Sequence, residues 1–187
     1  MHRRLLRQLN RRFMTVASDR PPLRVLFVCT GNSARSQIAE AVLNRKGRGR
    51  FEAFSAGSQP ADRVHPLALA TLRDAGIEWG SHPPRGLEGL DREHWDLIIT
   101  VCDNARESCP IFPGQPVLAH WGMADPAAVE GSESRRRAAF NDALSLISRR
   151  IDLLLALPFE KLERLALEAG VKAIPDQTSR AWLSPAV

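Results

Sequence analysis

A chain of 187 residues, 44% hydrophobic and 25% charged, is long enough for one ordinary α/β domain with tails, and no apolar run approaches the length of a membrane-crossing helix. Three cysteines and no secretory leader of the usual shape argue against a disulfide scaffold and suit a reducing cytoplasm. The formal net charge of +5 is local: Arg3, Arg4, Arg7, Arg11 and Arg12 sit in an acid-free start, the remainder is near neutral, and no aromatic-interleaved basic stripe points to nucleic acid.

Residues 1–22 form the first compositional segment, Arg-rich and closed by Pro21-Pro22. Such a start fits an organelle transit peptide, a short basic arm for an anionic surface, or a plain appendage ahead of a domain whose own start is Met14. Residues 23–157 then alternate strand and helix. The apolar run Leu23–Cys29 predicts a strand, and a Gly-containing turn leads into a helix reaching about Arg45, stopped by Gly47-Arg48-Gly49. A second strand is expected over Phe51–Ala56, and a helix over Pro66–Ala75 with Gly76 as its stop. Pro83-Pro84 forces a loop, and Asp96–Cys102 has the continuous apolar run of a buried parallel strand. After a loop from Asp103 to Gln115 come a short strand, Val117–Ala119, and a long helix, Ser132–Ala156, whose stripe Phe140, Leu144, Ile147, Ile151 and Leu154 is core. The extension 158–187 predicts a short helix over Phe159–Ala169 and an irregular tail containing Pro175 and Pro185. The fold class is α/β, a four-stranded parallel sheet with helices on both faces.

The chemistry concentrates at the end of the first strand. Ligands of parallel sheets bind beyond the carboxyl end of a strand, where the next helix offers free N–H groups and the positive end of its dipole. Here that loop is Cys29-Thr30-Gly31-Asn32-Ser33-Ala34-Arg35-Ser36, a C-x5-R spacing. Residues 30–35, from Thr30 through Arg35, can ring a tetrahedral oxyanion with Cys29 beneath its central atom and the Arg35 fork on two oxygens. Helix end and cation together favour a Cys29 thiolate at neutral pH. A Cys ending an apolar strand is otherwise a buried small hydrophobe; the strand, the Gly and the Ser36 hydroxyl favour a nucleophile.

Asp125-Pro126 follows the fourth strand and so faces the same sheet edge. Alone it is a common turn initiator; beside the loop it suits a general acid for a departing oxygen. Cys102 ends the strand expected next to the first, and Cys109 lies seven residues on in a Pro- and Gly-containing loop. With no His or third Cys nearby, a metal site is not expected there.

The run Val25–Gln37, the later Asp125-Pro126 preceded by His120-Trp121-Gly122, and Cys102…Cys109 together resemble the low-molecular-weight protein tyrosine phosphatase fold. More narrowly they are similar to its arsenate reductase branch, which uses three cysteines and a thioredoxin-type reductant. The resemblance spans roughly 23–157. It implies arsenate attack by Cys29 with help from Ser36, proton donation by Asp125, and disulfides passing from Cys29–Cys102 to Cys102–Cys109, to be reduced by thioredoxin or another dithiol, with no cofactor. It also implies that Asn32, Glu40 and Ser55 shape the loop or hold a structural cation, although Arg85 stands where an acidic ligand belongs. The rival is phosphomonoester hydrolysis through a Cys29 phospho-cysteine. Against it stand Ala127 after Asp125-Pro126, the absence of any Tyr to wall an aryl pocket, and two thiols without work. A non-catalytic anion-binding or redox-sensing module would leave Asp125 idle.

Overall fold

Leu23–Cys29 forms β1, and its residues Val25 to Val28 are completely shielded from solvent, as the uninterrupted apolar run requires of a strand covered on two sides. A computed structural model describes residues 21–80, 82–104, 112, 114, 116–159 and 164–180. Strands β2 (Phe51–Gly57), β3 (Leu97–Thr100) and β4 (Val117–His120) complete a parallel sheet in the order β2-β1-β3-β4. The register aligns Cys29 with Gly57 and Val28 with Thr100, so the ends of β1, β2 and β3 meet at one edge.

The helices follow from local signals. In α1 (Arg35–Lys46), Arg35 through Leu43 are all buried, because the helix is enclosed by sheet and neighbouring helices. Helix α2 (Pro66–Asp74) has Pro at its first position and the His65 Nδ1 accepting from the Leu67 N–H at 3.1 Å; Gly76, at φ 69°, lies just past its end. Ser132 caps α3 (Glu133–Ala156) by accepting from the Arg135 N–H. Of the predicted core stripe on α3, Phe140, Ile147, Ile151 and Leu154 are buried and Leu144 partly so. Trp95, Trp121, Phe27 and Phe140 are the largest fully enclosed side chains.

Two expectations change. The third strand is regular only from Leu97 to Thr100, although the Val101 N–H still donates to Val28 O at 2.8 Å, so Cys102 stands past the ladder. The expected short helix followed by an irregular stretch at Pro175 is replaced by α4, which runs Arg164–Arg180 with Pro175 inside it; the expected tail at Pro185 lies outside the described residues. Proline cannot supply the N–H that would bond the carbonyl four residues back. That carbonyl, Val171 O, instead accepts the indole N–H of Trp121 at 3.2 Å, so a partner from outside the helix fills the missing bond. Val171 and Ile174 are buried in the same contact. Cys109 lies outside the described residues.

Candidate active site

The loop between β1 and α1 is shaped by the segment that follows β2. The N–H groups of Ser58, Gln59, Ala61 and His65 donate to the carbonyls of Cys29, Thr30, Gly31 and Ser33 at 2.8–3.0 Å. With its carbonyls drawn outward, the loop turns N–H groups inward, and that of Asn32 reaches Cys29 Sγ at 3.1 Å. Gly57 makes this approach possible. A Cβ there would stand 2.4 Å from Thr30 O and 2.8 Å from the Asn32 nitrogen.

Asn32 adopts φ 47°, a left-handed conformation that Asn tolerates better than most residues. Its side chain is fully buried and points away from the cavity, so of the expected ring residues it serves the loop from behind. The Arg85 N–H donates to its Oδ1 at 3.0 Å, which fixes the amide orientation; its Nδ2 then donates to Ser36 Oγ at 2.9 Å and Ser55 Oγ at 2.7 Å. Ser36 Oγ, while accepting from Asn32, also lies 2.9 Å from Cys29 Sγ, where its O–H is free to donate to a thiolate. Ser55 in turn donates to Glu40 at 2.6 Å, and Glu40 faces His82 Nε2 at 2.9 Å. Burial pushes the Glu40 carboxyl above its ordinary value against the pull of the Ser55 and His82 bonds.

Arg35 does not lie in the loop alone. It donates to Asp125 Oδ2 at 2.7 Å and to Met123 O at 3.1 Å, while Asp125 Oδ1 accepts from the Ala127 N–H at 3.0 Å. This arrangement corrects one expectation. Burial pushes the Cys29 thiol above its ordinary value, outweighing the Ser36 and Asn32 donors that lower it. The cation expected to favour the thiolate is occupied by a carboxylate.

Thr30, Gly31, Ser33, Ala34 and Arg35 line a cavity of about 490 Å³ with Cys29 in its wall; Cys102, Asp103 and Asn104 close one side, Met123 to Asp125 another. Cys102 is buried, and its sulfur is 3.3 Å from Thr30 Oγ1. The cavity thus brings together Cys29, the ring residues other than Asn32, Arg35, Cys102 and Asp125. The oxygens that the resemblance would offer a structural cation do not fit one. Asn32 Oδ1 and Ser55 Oγ are engaged as above, Glu40 is held by Ser55 and His82, and the Arg85 Nε donates to Ser55 O at 2.8 Å. Gly57, His82 and Arg85 therefore shape the site, although of these only Arg85 stands out in the sequence.

The fold and site are those of an α/β protein with a C-x5-R oxyanion loop between its first strand and helix, an arginine and a carboxylate at the mouth. The chain belongs to the family described as low molecular weight phosphotyrosine protein phosphatase, whose model matches residues 24–166. It is 35% identical over 127 residues to an arsenate reductase of Bacillus licheniformis, covering 68% of this chain and 91% of that protein. A thioredoxin-dependent arsenate reductase from Corynebacterium glutamicum superposes with a TM-score of 0.52 at 28% identity, over 78% of this chain and 71% of that one. A low molecular weight protein tyrosine phosphatase from T. tengcongensis superposes with a TM-score of 0.61 at 26% identity, over 75% and 99% of the two chains. Among the described residues, no helix is long and apolar enough to cross a membrane.

Proposed function

We propose that the protein reduces arsenate to arsenite through a Cys29 arseno-enzyme intermediate. One observation carries the reading: a second buried thiol, Cys102, lines the same cavity as Cys29, Arg35 and Asp125. Phosphate hydrolysis has no use for it. The arsenate reductases among the relatives support the same substrate.

The oxyanion binds to the inward N–H groups and draws Arg35 off Asp125. Freed from Arg35, the Asp125 carboxylate takes the Cys29 proton as the sulfur attacks arsenic, with the Ser36 O–H bonded to the developing thiolate; the As–O bond breaks, and Asp125 passes that same proton to the departing hydroxyl, which leaves as water. Cys102 then attacks the Cys29 sulfur. A sulfur–sulfur bond forms, the sulfur–arsenic bond breaks, and its electron pair stays on arsenic, which departs as As(III). Cys109 attacks Cys102 and releases Cys29, leaving a Cys102–Cys109 disulfide for an external dithiol of thioredoxin type in a cytoplasmic setting.

Single-turnover arsenite release tests this. Cys29→Ser and Arg35→Ala abolish it. Cys109→Ser releases one arsenite and stops as a Cys29–Cys102 disulfide, whereas Cys102→Ser stalls before release. Unimpaired multiple turnover by both distal variants with a thioredoxin system would make the distal thiols bystanders and bring the phosphatase reading forward.

A further inference from the structure

Arg150, in the last third of α3, is only 3% exposed, and among the described residues no carboxylate is paired with it. Burial accordingly pulls the guanidinium below its ordinary value. An enclosed cation without a counter-ion is a costly core component, and an apolar side chain of similar length would fill the space more favourably. What Arg150 does instead is collect backbone. Its NH1 donates to Trp121 O at 2.6 Å, its NH2 to Gly122 O at 3.2 Å, and its Nε to Thr178 Oγ1 of α4 at 3.2 Å. Thr178 is itself fixed by donating to Pro175 O at 2.8 Å.

The carbonyls of the segment running to Asp125 are therefore taken in sequence: Trp121 and Gly122 by Arg150 from the interior, Met123 by Arg35 from the reaction loop. Helix α4 grips this segment twice, through the Thr178–Arg150 bond and through the Val171 carbonyl that Pro175 leaves for the Trp121 indole. Most of α4 lies beyond the stretch matched by the family model, which ends at residue 166.

We propose that Arg150 and α4 form a brace that positions the Trp121–Asp125 segment, so that the end of the chain sets the aim of the acid. Arg150 is a positioning residue: it touches neither the cavity nor the reacting atoms. The proposal rests on the reading of Asp125 as the proton donor.

The test uses the full chain carrying Thr178→Val, which removes one grip with little change of shape, or Trp121→Phe, which removes the other and leaves space in the core, and Thr178→Ser, which restores the hydroxyl. The first readout needs no activity. Amide exchange over residues 122–128 accelerates about tenfold in Thr178→Val and Trp121→Phe, stays as in the parent in Thr178→Ser, and in Thr178→Val does not change in β1. The second is the rate of the first covalent step with arsenate. It falls about tenfold in both grip variants, yet less than twofold when either is placed on Asp125→Asn, since residues acting through one group are not additive. Unchanged exchange over 122–128 overturns the brace. Accelerated exchange with equal rate losses in both backgrounds overturns the link to the acid. Accelerated exchange in a protein whose rate is indifferent to Asp125→Asn overturns the acid role itself, and the positioning claim with it.

Discussion

Gly57→Ala adds a single methyl to β2, and the structure dictates where the strain goes. The new Cβ would lie 2.4 Å from Thr30 O and 2.8 Å from the Asn32 nitrogen, both backbone atoms of the reaction loop, so no side chain can swing aside. Ordinary van der Waals separation needs about 1 Å more, and the loop must supply it because β2 is held in register with β1. Overpacking of this size costs about 1–3 kcal/mol of stability, a loss of several degrees in Tm for a chain of this length. A displacement near 1 Å at the reacting centre costs about 10²-fold in rate. Phosphate affinity by calorimetry, thermal unfolding and the single-turnover rate with arsenate should therefore all fall in Gly57→Ala. Gly80→Ala is the control, since a Cβ there meets nothing. Phosphate affinity and rate within twofold of the parent would show that the Gly57 contact does not shape the loop.

Three further outcomes are expected. Asn32→Ala removes an amide with bonds to Ser36, Ser55 and Arg85 and leaves an Ala at φ 47°; at about 0.5–1.5 kcal/mol per bond plus about 1 kcal/mol of strain, denaturant unfolding should show a loss of about 3–5 kcal/mol with unchanged m. Asp125→Asn should slow the first covalent step by about 10²–10⁴-fold while phosphate binding survives, both read by rapid-quench kinetics and calorimetry. Glu40 is pushed up in the folded state, so the fold holds its proton more tightly than the unfolded chain does. Its contribution is present at low pH and lost as pH rises from the ordinary carboxylate range through the raised value. Glu40→Gln should lack that decline when stability is measured across this range.

Much of the site was legible because its determinants are local. An apolar run, a Gly-containing turn and C-x5-R lie in one continuous stretch, and Asp125 sits after a strand whose parallel pairing brings it to the same edge. What escaped the sequence is long-range. Nothing periodic marks His82 in a proline-rich loop as the partner of Glu40, 42 residues away. Burial, which the motif does not show, raises the Cys29 thiol, and the folded chain turns the nearby Arg35 fork to Asp125. Helix α4 was cut short because Pro175 reads as a breaker; only tertiary structure shows that Trp121 fills the vacant bond.

The pairing of Arg35 with Asp125 has a consequence for selectivity. A carboxylate tethered beside its guanidinium competes with every incoming anion from a high effective concentration. Weak, abundant monoanions such as chloride must displace it while gaining little from the loop. A tetrahedral dianion meets the arginine fork and the ring of N–H groups together, and only that combination outbids the resident carboxylate. Held against Arg35 in this way, the Asp125 carboxylate filters which anions reach the thiol.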